Sequence, residues 1–357
     1  MDLPTPRGPV SGRLCSVLGR GVDASVEAAD DPLTSETRRA VAVIDADGAV
    51  DAADGWLADE DLQLTLWMLY EQHYRGFAAV DPRWEWSPGL LRVRALIEAP
   101  FEAALRRAVP VPPAGTMTAH SLASVLFALV AADDGPSLSA HLARHGQLTQ
   151  WQEFLALRSV YHLKEADPHT WAIPRLHGTP KAALVEIQAD EYGGGRVERM
   201  HSELFRRSMR GLGLDDTYGA YVEAAPACTL ANVNAMSMLG LHRRLRGAAV
   251  GHLTAVEIGS SVPSRRYATG LRRLGFGSEV TRFFDEHVEA DAVHEQVAAW
   301  DLSGALARDE PELLEDVLFG AALCLWLDAR GAATMLDAWR VGASALRRPV
   351  ADLPRPA

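Results

Sequence analysis

The chain has 357 residues, 48% of them hydrophobic and 23% charged, with a formal net charge of -12 at pH 7. That length suffices for one large domain or two modest ones, and the acidic balance argues against nucleic acid or an anionic membrane as partner. Cysteines stand alone at 15, 228 and 324, which speaks against a disulfide framework, a zinc ribbon or an iron–sulfur cluster and fits a reducing cytoplasm.

Residues 1–60 are rich in Pro, Gly, Asp and Ala with weak periodicity. They read as a loosely ordered lead-in with a short strand at Ala40–Ile44, and no basic region followed by an apolar run marks a secretory signal. Helical patterns begin at Asp61, and an amphipathic run through Leu62–Tyr70 continues to Phe77. Ser87 before Pro88 is placed to cap a second helix from Leu90 to about Val109, which Pro110, Pro112 and Pro113 end. The helical domain is therefore expected over 61–346, with 61–113 an N-terminal extension, 114–346 the core and 347–357 a tail.

Within that core, helices are expected at about 118–131, 136–145 and 148–164. Pro168, Pro174 and Pro180 bracket a loop. Lys181–Ala189 and Val197–Gly211 follow around the interruption at Gly193–Gly195, then Asp215–Ala225, Ala227–Arg246 and Ala248–Gly259. After a short break come Pro263–Leu274, Glu279–Ala299 and Pro311–Leu346. The apolar run Val317–Leu327 is too short to span a bilayer and reads as a core helix. With no βαβ alternation and no repeat, the expected class is all-α.

One stretch carries unusual chemistry. His287, Asp291 and His294 are spaced so that, at about 100° per residue, they fall within roughly 60° of each other on a helix. Two imidazoles and a carboxylate on a stripe otherwise lined by Phe283, Phe284, Ala290 and Ala298 suit a transition ion such as iron better than magnesium or calcium. A search for partners finds Glu257 inside the apolar segment Leu253–Ile258. It also finds Glu191 in Gln188-Ala-Asp-Glu-Tyr-Gly-Gly-Gly195, His201 ten positions on, and Glu165 before the proline-bracketed loop. Four carboxylates would neutralise two ferrous ions, with three imidazoles filling the remaining positions.

This ordered set resembles the haem-oxygenase-like di-iron oxidases and oxygenases, a family with Glu-x(6 or 9)-His, a lone downstream Glu and then His-x3-Asp-x2-His. The actinobacterial iron-containing redox enzymes look most alike. The resemblance covers roughly residues 60–340. It implies a bundle of about seven core helices holding two ferrous ions, with manganese as a substitute. Glu191, His201, Glu257, His287, Asp291 and His294 would be both the metal ligands and the catalytic set, with Glu165 as a seventh ligand. It further implies O2 as co-substrate, a small organic substrate (an amino acid, an amine or a fatty-acid-like molecule) in specialised metabolism, an external electron donor and a homodimer.

Two points stay open in the residues. On one ideal helix Glu191 would lie about 80° from His201, so Glu198, in Glu198-Arg-Met-His201, competes as the Glu-x-x-His of a ferritin-like site. Haem chemistry on a lone His such as His73 or His120, thiaminase-type chemistry on Cys228, and a non-catalytic iron-binding protein are the rival functions.

Overall fold

A computed structural model of the protein describes residues 1–22, 31–46, 52–115 and 117–348; the side chains at 45, 46, 52 and 290–292 lie outside the described residues. All regular structure among the described residues is helical, as expected. In chain order the helices are α1 (Pro9–Leu18), α2 (Pro32–Ala46), α3 (Ala52–Ala58), α4 (Glu60–Glu71), α5 (Pro88–Ala108), α6 (Ala119–Ala131), α7 (Leu138–Arg144), α8 (Leu148–His162), the single turn α9 (Asp167–Thr170), α10 (Gly178–Glu191), α11 (His201–Gly211), α12 (Ala227–Leu241), α13 (Arg246–Arg273), α14 (Ser278–Gln296), α15 (Ala305–Asp309) and α16 (Leu314–Arg340).

The chain divides into two compact units, one of Met1–Val109 with Ala225–Ser237, the other of Pro110–Ala224 with Met238–Ala357. In the first, the expected lead-in is instead helical, and Ala40–Ile44 belongs to α2 rather than to a strand. The reason lies far along the chain. The Asp61 carboxylate accepts from the backbone N–H groups of Val10 at 2.8 Å and Ser11 at 2.7 Å, so α1 is capped by a residue that no local reading would pair with it. Its apolar stripe, Val10, Leu14 and Leu18, is fully buried. Asp59 caps α4 by accepting from Leu62 N–H, and Ser87 caps α5 as expected. The first part of α12 joins this unit through Asn234, whose amide donates to the Gln63 side chain at 2.8 Å.

The second unit is built around α13, which packs against α16, α14 and α7. The expected break before Pro263 is absent: α13 runs through it. Residues 258–263 are half-buried or exposed, where water can satisfy the carbonyl that proline leaves free. Where α13 crosses α16, a Cβ on Gly251 would stand 1.9 Å from the Val317 carbonyl oxygen, and one on Gly320 1.9 Å from that of Ala248. Only glycine permits backbones this close. The stretch Pro311–Arg340 is apolar enough to cross a membrane by length and composition, yet half of its apolar window is buried within the protein. Val317, Leu318, Ala321 and Cys324 pack in the core with Leu253 of α13 and Ile187 of α10.

Asp215–Ala225, expected to be one helix, is instead a run of turns followed by a single 3-10 turn at Val222–Ala224. Asp215 accepts from the Thr217 N–H at 2.8 Å, and its own N–H is taken by the Tyr221 hydroxyl at 2.7 Å. Side-chain bonds of this kind compete with a helix for the same backbone groups.

Candidate metal centre

Glu165 lies just beyond the end of α8. Its Oε1 accepts from His162 Nδ1 at 2.8 Å and is 3.7 Å from His287 Nε2, while its Oε2 is buried without a hydrogen-bond partner. The next residue, Ala166, has φ of +74° and alone among the described non-glycine residues occupies the left-handed region. Strain of that sort survives only where surroundings impose it. Here the Gln188 side-chain amide donates to the Ala166 carbonyl at 3.1 Å, and the Tyr192 hydroxyl donates to Asp167 at 2.8 Å. The chain after Glu165 is thereby tied to the end of α10, where Glu191 is the last helical residue.

Glu191 and His201 do not share a helix. Gly193, Gly194 and Gly195 have φ of +66°, +59° and +78°, a left-handed run that side chains rarely adopt. This turn ends α10 and delivers His201 as the first residue of α11, so that Glu191 Oε2 and His201 Nδ1 stand 3.0 Å apart. The 80° mismatch of a single helix disappears. Glu198, the competing acid, is exposed.

Glu257 projects from the middle of α13 and is 3% exposed. On α14, His287 Nδ1 donates to the Phe283 carbonyl at 2.8 Å, the four-residue spacing of one helical turn, which directs Nε2 toward Glu165. His294 is engaged on both sides: Nε2 donates to Asp190 at 3.0 Å, and Nδ1 lies 3.4 Å from Glu257 Oε2. Two sets of three donors result, Glu165, His201 and His287 in one and Glu191, Glu257 and His294 in the other, each with its ligand atoms within 4.8 Å of one another. The Glu191–His201 contact joins them, and the His201 and His287 ring centroids are 4.4 Å apart. Of the seven expected site residues the structure brings six together; the Asp291 side chain lies outside the described residues.

Charge explains why the cluster persists. Burial pushes the Glu257 carboxyl above its ordinary value, and the His294 imidazole offsets this only in part. Burial would lower His294, but the Glu257 carboxylate prevails and the imidazole is pushed up to about 9. Burial would likewise raise Glu165, yet His162 and His287 hold it well below the usual carboxylate range. Acids and protonated imidazoles thus balance each other in a buried place. Glu165 Oε2 is buried without a hydrogen-bond partner, and His201 Nδ1 and His294 Nδ1 face the Glu191 and Glu257 carboxylates at 3.0 and 3.4 Å without a well-aligned hydrogen bond. Mixed nitrogen and carboxylate donors suit iron or manganese, and metal would displace protons from the imidazoles.

The rival sites fare differently. His73 has both ring nitrogens engaged, by Glu85 at 3.1 Å and Arg94 at 2.6 Å, and His120 is exposed; neither offers a buried free nitrogen to haem. Cys228 lies in the first turn of α12, within the stretch that belongs to the first unit.

Residues 152–329 match the sequence model of the iron-containing redox enzymes, a haem-oxygenase-like family. This half of the chain belongs to that family. The iron-containing redox segment holds all six clustered residues, and the all-helical architecture is that of a haem-oxygenase-like bundle. The chain is also 30% identical over 192 residues to nitrosourea synthase from Streptomyces achromogenes subsp. streptozoticus, a stretch covering 53% of this chain and 41% of that protein. It thus spans less than half the length of that relative.

Two neighbours of the cluster were not singled out as site residues by the spacing. His162 holds Glu165 from one turn back; its place three residues before Glu165 is the local signal for it. Asp190, beside Glu191 in the sequence, meets His294 from another helix, and only the folded chain reveals that contact.

Proposed function

We propose that the protein is a non-haem di-iron enzyme that uses O2 to oxidise a small organic molecule. The observation that carries this reading is the pair of three-donor sets joined through Glu191 and His201. A mononuclear site would need only one such set. Glu165, His201 and His287 would hold one ion, and Glu191, Glu257 and His294 the other, with Glu191 placed to reach both; Asp291 is the expected seventh ligand. The ferrous ions, when bound, would supply electrons for the reduction of O2.

The protein's own groups do the remainder. Burial of Glu257, His201 and His294 keeps bulk water from the donors, which strengthens every charge interaction among them. Hydrogen bonds from His162 to Glu165 and from His287 to Phe283 fix the orientation of two donors before metal arrives. Phe283, packed on His162, His201, Phe205 and His287, provides an apolar wall beside the first set.

For the substrate we propose a molecule bearing an amine-type nitrogen. The relative's name, nitrosourea synthase, concerns nitrogen-centred chemistry, and the match extends over 53% of this chain. Cytoplasmic location, an external electron donor and a homodimer complete the proposal.

The test is anaerobic titration of the metal-free protein with ferrous iron, followed by mixing with oxygenated buffer in the presence of a panel of amines and amino acids. Two irons per chain and O2 consumption that one panel member accelerates are the expected result. Absence of iron binding, or uptake of O2 no faster than free ferrous ion, would refute the proposal.

A further inference from the structure

Asp190 and Glu191 are consecutive in the last turn of α10, so their side chains diverge by about 100°. The His294 imidazole sits between Asp190 and Glu257. Its Nε2 is 3.0 Å from Asp190 Oδ2, and its Nδ1 is 3.4 Å from Glu257 Oε2, inside the set that Glu191 completes. The two carboxylates differ in exposure. The Asp190 side chain is 64% exposed, whereas those of Glu257 and His294 are 4% and 3%.

A carboxylate accepts but does not donate, so the nitrogen facing Asp190 carries the hydrogen. In the neutral imidazole the lone pair then belongs to Nδ1, the buried nitrogen whose 3.4 Å approach to Glu257 is not a well-aligned hydrogen bond. His287, seven residues earlier on the same helix, is arranged the opposite way, with Nδ1 donating to the Phe283 carbonyl and Nε2 turned to Glu165.

We propose that Asp190 is a positioning residue that fixes the tautomer of His294, so that His294 ligates metal through Nδ1 while His287 does so through Nε2. Imidazoles that bind metal ordinarily donate their other N–H to a carboxylate or a carbonyl, and one of each is present here. The consequence is an asymmetric centre. One ion is supported by a backbone carbonyl inside a helix, the other by a solvent-facing acid that a partner or a change of medium can reach.

This inference rests on the metal reading above, and the experiment separates the two. Metal-free wild-type protein, Asp190→Ala and Asp190→Asn are titrated anaerobically with ferrous iron, and melting temperatures are recorded without metal. Asp190→Ala is expected to weaken one of the two binding steps by roughly 10- to 100-fold and to spare the other. Asp190→Asn, whose amide oxygen still accepts from Nε2–H, should fall between. Both variants should melt with the wild type in the absence of metal, since the Asp190 side chain is largely exposed. In zinc-loaded, 15N-histidine-labelled protein, long-range nitrogen–proton correlations should show His294 protonated at Nε2 and ligated at Nδ1. If wild-type protein binds two irons and Asp190→Ala binds them equally well, or if His294 proves ligated through Nε2, the role of Asp190 is overturned alone. If the wild type binds no iron, both readings go.

Discussion

Glu191 and His201 are ten positions apart in the chain and 3.0 Å apart in space, and three left-handed glycines make the difference. A Cβ on Gly193 would lie 2.6 Å from the Met200 backbone nitrogen, whereas one on Gly194 would meet nothing within 4 Å. Gly193→Ala therefore incurs both the left-handed penalty and a backbone clash, together about 2–3 kcal/mol. Gly194→Ala incurs only the first, about 1 kcal/mol. Urea unfolding of the metal-free variants should show that order, and ferrous titration should show weakened binding in Gly193→Ala only.

The choice between the two acids near His201 is open to direct trial. Glu191→Gln removes the charge that joins the two donor sets, and ferrous stoichiometry should drop from two toward one. Glu198 is exposed, so Glu198→Gln should bind iron as the wild type does. The reverse pattern would favour a ferritin-like arrangement over the present one.

A pair of buried histidines outside the cluster gives the second unit a pH dependence of defined sign. His169 Nε2 and His252 Nδ1 are 3.2 Å apart, and burial lowers these imidazoles to about 3 and about 4. In the unfolded chain both titrate near 6.5. The folded state thus binds fewer protons, so the stability from keeping the pair neutral is complete above pH 6.5 and is lost as pH falls from there toward 4. Each pH unit in that window costs up to about 1.4 kcal/mol per imidazole. The slope of unfolding free energy between pH 7 and 5 should be shallower in His252→Gln than in wild-type protein, both without metal; equal slopes would show that the pair does not titrate this way.

Much of the candidate site was legible in the sequence because its signals are local. Glu257 is an acid among apolar helix residues, and the spacing of His287 and His294 is set by helical periodicity alone. The helix boundaries around Pro263 and the whole of α1 were not legible, because tertiary contacts decide them: Asp61 caps a helix some fifty residues earlier in the chain, and α13, which runs on through Pro263, packs along α16, α14 and α7. The meeting of Asp190 with His294 is likewise a product of how α10 and α14 lie together. The glycines at 193–195 sit between these cases, since their composition announced a special backbone without saying where it would lead.

The crossing of α13 and α16 should be the least forgiving place in the second unit. Alanine favours a helix over glycine by about 1 kcal/mol, so a Gly→Ala change in either helix is stabilising unless packing opposes it. At Gly331 of α16 nothing lies within 4 Å of the would-be Cβ, and Gly331→Ala should raise stability by about 0.5–1 kcal/mol. At Gly251 the same change puts a methyl 1.9 Å from the Val317 carbonyl oxygen, and the helices must separate, for a net loss of about 2–4 kcal/mol. Gly320→Ala fails at the same crossing, so the double variant should cost less than the two singles added, because the second methyl enters a gap that the first has opened. Glu257 lies less than two turns beyond Gly251, so ferrous affinity should fall in Gly251→Ala and stay unchanged in Gly331→Ala. Denaturant midpoints and iron titrations on the four variants check the scheme, and strict additivity at 251 and 320 would show that the two glycines relieve separate contacts rather than one.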